Sequence, residues 1–429
     1  MKRKRVLPLC LGMFFVSTAA RSQEKGPITL EELVRASLDR NREVLALRQR
    51  VAQAQGLTRQ AGVRPAPTVE AEGVSGRPLG SMGEEQFSAA LVQQVETFGK
   101  RKDRVRVQEL SVALAEAEVD ERSAQLAYEI ENGYLSVVYE RERIAVLDRV
   151  LASLRDSQRL TAARVREGDA APLEAQLLAV ELSRADAQRA DATGREAAAE
   201  LEFRRLTSLS LAAALPTIGP TAGKAALSLA QLIARAIEKR ADLRSARLLE
   251  QQAESETTLA KAQARPDVTF SLRYVHNNTR LENQYGFTAV GALTPLREQY
   301  NTLSIGVSVP LVTERHNQGA LEAAASGAAS ARLRRDYLEL SIPLEVQSAY
   351  ELWTAAVRTR DLLRDGVMGQ SNKNLAVVQE AYQLGQLRLL DVLNEQRRVT
   401  DTELTYLDAG VQAARALADL ERVAGGLLP

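Results

Sequence analysis

The chain repeats itself at a nearly fixed distance, and this internal duplication limits its possible folds more than any other feature. The segment that begins at Ile28 matches the segment that begins at Leu227, an offset of 199 residues. Further along the offset is 216, as between Tyr134 and Tyr350. The change in offset implies an insertion in the second half, which we place in a longer loop around 279–300. Two similar halves predict that each element of secondary structure occurs twice.

Each half is predicted to contain a helix, two strands, a very long helix and a shorter return helix. The first helices are predicted over 29–63 and 228–264 from their amphipathic spacing. Two strands should follow, because apolar and polar residues alternate with a period of two. The alternation is strongest in two runs of the second half, Val268 to Val275 and Leu303 to Leu311. Such runs are typical of half-buried strands in soluble sheets and of strands in outer membrane proteins.

The longest predicted helix covers 100–166, a segment with no proline and one glycine. At 1.5 Å per residue it would be roughly 100 Å long. Its apolar residues occupy heptad positions and predict a coiled-coil seam. They are Leu126, Ile130, Val137, Ile144, Leu147, Leu151 and Leu154. The counterpart over 318–384 contains Pro343, which should kink it. The return helices are predicted over 172–208 and 388–424.

The N-terminus has the features of a secretion signal. Four basic residues precede a short apolar run from Val6 to Val16, and small residues follow. We therefore predict a signal peptide over 1–20, a first repeat over 21–215 and a second repeat over 216–429. Cys10 follows the large residue Leu9, which disfavours lipidation.

Composition excludes several functions. Lysine and arginine number 56 against 55 aspartate and glutamate, so no basic field indicates nucleic acid binding. One cysteine and two histidines exclude a His/Cys zinc site and a disulfide framework. The sequence has no phosphate-binding loop and no serine–histidine–aspartate grouping. We predict a protein that is not an enzyme, has no cofactor and no bound metal, and uses His276 and His316 as structural residues.

Three motifs carry a resemblance to a known family. They are QVETFGKR at 94–101, PLVTERHNQG at 310–319 and YQLGQLRLLDVL at 382–393. In this order within a duplicated frame, the chain resembles the TolC-type outer membrane efflux factors. The first two motifs are similar to those of the CzcC-like heavy-metal branch.

The resemblance implies an α+β fold and a homotrimer. Long antiparallel coiled-coil helices would form an α-barrel through the periplasm, and four strands per chain would contribute to a 12-stranded outer membrane β-barrel. The implied function is the passive exit duct of a tripartite efflux pump for heavy-metal cations or small toxic compounds. The implied partners are outer membrane lipid, a periplasmic adaptor protein and an inner-membrane pump of the resistance-nodulation-division type.

The resemblance also assigns a channel gate. Acidic residues six positions after each tip glycine match the family's gate, namely Asp391 after Gly385 and Glu174 after Gly168. Asn394 stands where some members have a second acid. A ring of three Asp391 carboxylates would favour cations, and repulsion within it should raise some of their pKa values. The alternative is that Asp391 caps a helix or faces solvent.

The tip turns are the predicted contact with the adaptor. Gly168 and Gly385 permit a positive φ in a tight turn, or simply end a helix. The resemblance places Leu387 and Arg388 against the adaptor. The aromatic residues of the second strand pair are either a girdle at the membrane interface or scattered strand residues. They are Tyr274, Tyr285, Phe287 and Tyr300.

Other functions remain open from the sequence. A duct for type I protein secretion uses the same fold. A soluble periplasmic coiled-coil adaptor or scaffold would place the strands in a small domain, and the four alternating strands argue against it. An exported enzyme is the least supported alternative.

Overall fold

The computed structural model describes residues 30–79, 84–210, 227–311 and 317–426. The predicted signal peptide with Cys10, the predicted repeat boundary at 215/216 and His316 lie outside these residues. The nine α-helices and four strands of the described ranges follow one order twice, except that the long helix of the second half is divided into two. They are α1 (Leu30–Arg40), α2 (Arg42–Ala61), β1 (Thr68–Ser75), β2 (Glu84–Val95), α3 (Lys100–Glu167), α4 (Pro172–Thr207), α5 (Leu229–Lys239), α6 (Ala241–Gln263), β3 (Val268–Phe287), β4 (Leu293–Ser308), α7 (Gln318–Leu362), α8 (Gly369–Gln383) and α9 (Leu389–Val423).

Two similar apolar cores stabilise the two halves. In the first, Leu33 of α1 and Val44 of α2 pack with Leu126 and Ile130 of α3. In the second, the buried equivalents lie at the offsets of 199 and 216 seen in the sequence. They are Leu232, Leu243, Ile342 and Val346. The duplication of the sequence is therefore a duplication of packing.

The long helix α3 is 68 residues long and confirms the prediction for 100–166. Of the seven predicted seam residues, all but Ile144 are buried. The prediction of one continuous first helix in each half is wrong, because each is divided into two helices. Asn41 has extended backbone angles and its Oδ1 accepts the N–H groups of Glu43 at 2.9 Å and Val44 at 3.2 Å, which starts α2 anew. Arg240 takes the corresponding place between α5 and α6.

The counterpart of α3 is less regular than α3. Helix α7 continues through Pro343 to Leu362. The irregularity comes later, in a π-helical turn over Leu363–Met368 that contains Gly366. Helix α8 continues from this turn to the second tip.

The four strands form one antiparallel sheet in the order β1-β2-β3-β4. The register places Leu91, Leu272 and Ile305 side by side on one face. On the opposite face, Arg273 donates to Glu70 at 3.3 Å across β2. The sheet therefore has one apolar face and one polar face, and the large side chains of the apolar face are exposed, as at Leu91, Leu272 and Ile305.

The prediction of a longer loop around 279–300 is wrong. Strands β3 and β4 continue as a hairpin, pairing as far as Phe287 and Leu293. The insertion in the second half is therefore an extension of two strands. None of the helices in the described ranges has an apolar stretch of the length and hydrophobicity that a bilayer-crossing helix requires.

Candidate functional site

The two helical hairpins end in turns of the same geometry. Gly168 has a φ of 86° and Gly385 a φ of 74°. After each glycine the next N–H reaches back to a carbonyl five residues earlier, from Asp169 to Arg164 at 2.8 Å and from Gln386 to Ala381 at 2.9 Å. This arrangement satisfies carbonyl groups that a helix end leaves free. The predicted positive φ is found at both glycines.

One apolar cluster joins the two tips, so they form a single structure. Leu178 of α4 and Leu389 and Leu393 of α9 are nearly or fully buried there. Leu151 and Leu154 of α3 complete the cluster. The second hairpin is therefore packed on the first through contacts that bury apolar area from both.

Polar contacts cross the same boundary. The hydroxyl of Tyr382 donates to Glu174 Oε2 at 3.3 Å, and the guanidinium of Arg164 lies over the Tyr382 ring at 5.2 Å from its centroid. Deeper in the hairpins, Arg397 of α9 forms an ion pair with Glu181 of α4. Glu174, a predicted gate residue, is thus half-buried between the hairpins and bonded to the second tip.

Asp391 lies in the first turn of α9 and is exposed. Its Oδ2 accepts the N–H of Arg388 at 3.0 Å, which caps the start of the helix. A carboxylate there is also favoured by the helix dipole. Asn394 is exposed one turn later and lies in a groove of about 350 Å³ beside the π-helical turn. In the single chain, Asp391 therefore has the capping role, and its carboxylate is held at a fixed position on the tip.

The second tip exposes several leucine side chains. Residues 383–388 are all exposed, including Leu387 and Arg388. Leu384 and Leu390 are exposed beside them, at 67% and 50%. An exposed leucine patch around a rigid turn is the kind of surface that binds another protein.

A second cluster of interacting polar residues lies at the opposite end of the helices, where the QVETFGKR motif joins β2 to α3. Asp267, just before β3, accepts the Thr97 N–H at 3.1 Å and the Lys100 Nζ at 2.8 Å through Oδ1, and the Gln94 Nε2 at 3.1 Å through Oδ2. Lys100 Nζ also donates to the Arg265 carbonyl at 2.6 Å. We call these residues the Asp267 joint.

The contacts of the Asp267 joint explain which residue types occur in the QVETFGKR motif. Burial opposes the charge of Asp267, but the hydrogen bonds from Lys100, Thr97 and Gln94 outweigh burial, so that the pKa of the Asp267 carboxyl is lowered. Gly99 has a φ of 79°, which glycine adopts readily and which turns the chain from strand to helix. Sequence reasoning identified the motif but missed Asp267. The available signal was the internal repeat, in which Asp267 replaces the equivalent Thr68.

His276 has a structural setting on the sheet. Its Nδ1 lies 2.7 Å from Asn301 Oδ1, which also accepts the Tyr274 hydroxyl at 2.9 Å. Among residues 30–79, 84–210, 227–311 and 317–426, no three His, Cys, Asp or Glu side chains are arranged to hold a metal ion.

Comparisons with known proteins agree with one another. A family model described as "Outer membrane efflux protein" matches residues 33–208 and 232–426. The cobalt-zinc-cadmium resistance protein CzcC of Cupriavidus metallidurans is 22% identical over 440 residues, which cover 99% of this chain and 100% of that protein.

Solved structures share the fold. CusC has a TM-score of 0.74 at 17% identity, covering 95% of this chain and 96% of that chain. The open-state MtrE outer membrane channel of Neisseria gonorrhoeae has a TM-score of 0.73 at 18% identity, covering 92% and 89%.

Proposed function

This chain belongs to the outer membrane efflux protein family, and we propose that it is the passive exit duct of a tripartite pump that exports heavy-metal cations. As a family member it is located in the outer membrane and extends into the periplasm. The proposal concerns the cargo, the assembly, the partners and the residues that control passage.

The observation that carries the proposal is the four-stranded sheet with two unlike faces. Its outer strands β1 and β4 each have one neighbour, so within the described residues each leaves one edge unpaired. An unpaired edge in lipid leaves backbone groups without partners, which is costly. Pairing β1 of one copy with β4 of the next removes both edges. Three copies then give a closed sheet of twelve strands, with the apolar face towards lipid and the polar face towards a water-filled interior.

The dimensions of such an assembly suit a duct. With strands about 4.8 Å apart and tilted by about 40°, a closed sheet of twelve is roughly 24 Å across. Helix α3 adds roughly 100 Å of length, at 1.5 Å per residue, on the periplasmic side. Cargo would enter between the tips and leave through the sheet. Transport of this kind needs no chemical step by this chain.

The tips would bind the periplasmic adaptor. The exposed turn with Leu387 and Arg388 offers apolar and basic groups to the hairpin of a periplasmic adaptor, with Gly168 and Gly385 fixing the two turns. The adaptor would connect the duct to an inner-membrane pump of the resistance-nodulation-division type. We also propose that residues 1–20 are removed as a signal peptide. The two repeats of the mature chain would meet at 215/216.

We propose that the gate is the ring of three Asp391 carboxylates brought together by the trimer, with Asn394 one turn above it. Glu174 has a different task in this arrangement. Its hydrogen bond to Tyr382 holds the two hairpins of one chain together, so that breaking this contact accompanies opening.

The cargo assignment rests on similarity to CzcC and on the two junction motifs. The test is deletion of the gene in its native host, followed by growth in cobalt, zinc and cadmium beside dyes, detergents and antibiotics. We expect selective sensitivity to the metals, restored by the wild-type gene. Sensitivity to organic compounds alone would refute the metal cargo and keep the duct. No change with any compound would favour protein secretion.

A further inference from the structure

The two strand hairpins of the sheet have unequal lengths. The last pair between β2 and β3 joins Glu84 to Thr279. Strands β3 and β4 continue beyond this level until Phe287 pairs with Leu293. On β4, the five residues 293–297 lie beyond this level and extend the hairpin by roughly 16 Å at 3.3 Å per residue. We call residues 285–296 the hairpin tip.

The hairpin tip is uncharged and exposed. Its twelve residues include no Asp, Glu, Lys, Arg or His. Tyr285, Phe287, Val290 and Leu293 are exposed by 59%, 76%, 89% and 66%. Tyr285 pairs with Pro295 as Phe287 does with Leu293, so these four side chains share one face. Apolar groups concentrated on an isolated hairpin indicate a surface that is covered in the assembly.

Lipid does not reach this surface. The apolar face of the sheet ends at Tyr274 and Leu303, and polar residues follow on both strands. These are Asn277, Asn278, Thr279, Arg280, Arg297, Glu298 and Gln299. The ten residues from Leu303 to Leu293 span roughly 33 Å along β4. At a tilt of about 40°, the tip lies roughly 25 Å beyond the apolar band, which approaches the thickness of a whole hydrocarbon core.

We propose that the hairpin tips of the three copies pack against one another over the outer mouth of the duct. This inference rests on the proposed trimer. Among the described residues, β1 and β2 of each chain end lower on the sheet, so the apolar surfaces that they leave at the level of the tip are the tips of the other two copies. A closed sheet of twelve strands has a radius of roughly 12 Å, so a hairpin extension of roughly 16 Å is long enough to reach the threefold axis if the hairpin bends inwards.

The hairpin also has the local structure that a bend requires. Between the pairs Arg280–Arg297 and Tyr285–Pro295, β3 has four residues and β4 has one. Extra residues on one strand of a pair bend and twist the hairpin. The irregularity lies just past Thr279, where the hairpin loses its neighbour β2. An apolar contact on the axis narrows the exit and excludes water and ions from it, as hydrophobic constrictions do in channels.

The test uses single cysteines, because Cys10 is the one cysteine of the sequence. In a Cys10→Ser background, Phe287→Cys is oxidised in native outer membranes. We expect a disulfide-linked dimer that includes at most two of the three chains, as threefold symmetry requires. Thr279→Cys is the matched control. Copies of Thr279 would be roughly 21 Å apart on the wall of the closed sheet, too far for a disulfide.

The same variant has a functional readout in a planar bilayer. Oxidation of Phe287→Cys should lower the conductance by roughly twofold or more, and a reductant should restore it. A trimer of correct mass in which Phe287→Cys forms no disulfide would overturn the inference. So would quenching of the tryptophan in a Phe287→Trp variant, made in a Trp353→Phe background, by brominated phospholipid. Absence of a trimer would refute the proposed function instead, and measurement of the mass separates the two failures.

Discussion

The replacement of Asp267 by alanine should destabilise the protein more than the loss of any exposed ion pair. The side chains of Lys100 and Asp267 are only 9% and 17% exposed. Asp267→Ala removes the carboxylate partner of a buried ammonium group and the acceptor of the Thr97 N–H. Lys100 would keep the Arg265 carbonyl as its acceptor.

The magnitude follows from the contacts that are lost. One hydrogen bond to a charged donor contributes about 1.5–3 kcal/mol, and each of two further bonds contributes about 1 kcal/mol. The expected loss in unfolding free energy is about 3–5 kcal/mol, the range for breaking a buried pair. Asp267→Asn should cost less, because an amide oxygen can still accept the Thr97 N–H.

The assay is chemical unfolding of the purified protein in detergent, followed by far-UV circular dichroism. Asp39→Ala is the matched control, because Asp39 forms an exposed ion pair with Arg48 at 3.5 Å. We expect that control to change stability by less than about 0.5 kcal/mol. A loss below about 1 kcal/mol for Asp267→Ala would refute the reasoning. So would a double variant Lys100→Met/Asp267→Ala that is no more stable than Asp267→Ala alone.

Because the pKa of Asp267 is lowered on folding, the stability that the Asp267 joint contributes should depend on pH. A carboxyl whose pKa is lowered on folding stabilises the protein above its unfolded pKa of about 3.9. That contribution is lost as pH falls through the folded pKa, which lies below the unfolded value. The stability difference between wild type and Asp267→Asn should therefore shrink from about pH 5 downwards. A difference that stays constant would contradict the lowered pKa.

Three further predictions concern the other end of the helices. Gly168→Ala and Gly385→Ala should each cost about 1–2 kcal/mol of unfolding free energy from left-handed backbone strain, whereas Gly194→Ala within α4 should stabilise by up to about 1 kcal/mol. Equal effects at the three sites would contradict the turn geometry. Leu178→Ala, at a fully buried position of the tip cluster, should cost about 2–5 kcal/mol in the same unfolding assay. Asp391→Ala should raise the resting conductance of the trimer in a planar bilayer, and unchanged conductance and cation preference would reject the gate.

The long helices were predictable because their signals are local and repeated. Helix α3 begins after Gly99 and ends at Gly168, and a heptad pattern of apolar residues runs from Leu126 to Leu154 between them. The tip turns were predictable for the same reason, since a glycine with positive φ ends the helix at each of them. The order of helices and strands was also predictable, because the duplication implies that each element of one half has an equivalent in the other.

The extended hairpin was not predictable from alternation. Beyond Tyr274 the strands have polar residues on both faces, as at Asn277 and Asn278. A strand surrounded by water on both faces has the composition of a loop, and only its pairing distinguishes the two. The break at Asn41 had a signal, because asparagine is a preferred residue for starting a helix. The surrounding amphipathic pattern obscured that signal.

The candidate site was predictable only in part. Asp391 and Glu174 follow from the spacing after each tip glycine. The bond between Glu174 and Tyr382 joins residues 208 positions apart, and nothing in the local sequence of either predicts the partner. Asp267 was missed for the same reason, since its partners lie about 170 residues earlier in the chain.

The Asp267 joint also constrains the order in which the protein can fold. Strand β2 pairs with β3, which follows it by more than 170 residues, and the joint combines residues from both halves. While the chain emerges from synthesis and export, the first half has only the hairpin of β1 and β2, and an isolated two-stranded hairpin is marginally stable in water. Contacts that close so late are slow to form and leave apolar strand surface exposed in the meantime. Assembly of this protein therefore depends on how well the cell envelope protects an unfinished sheet until its second half arrives.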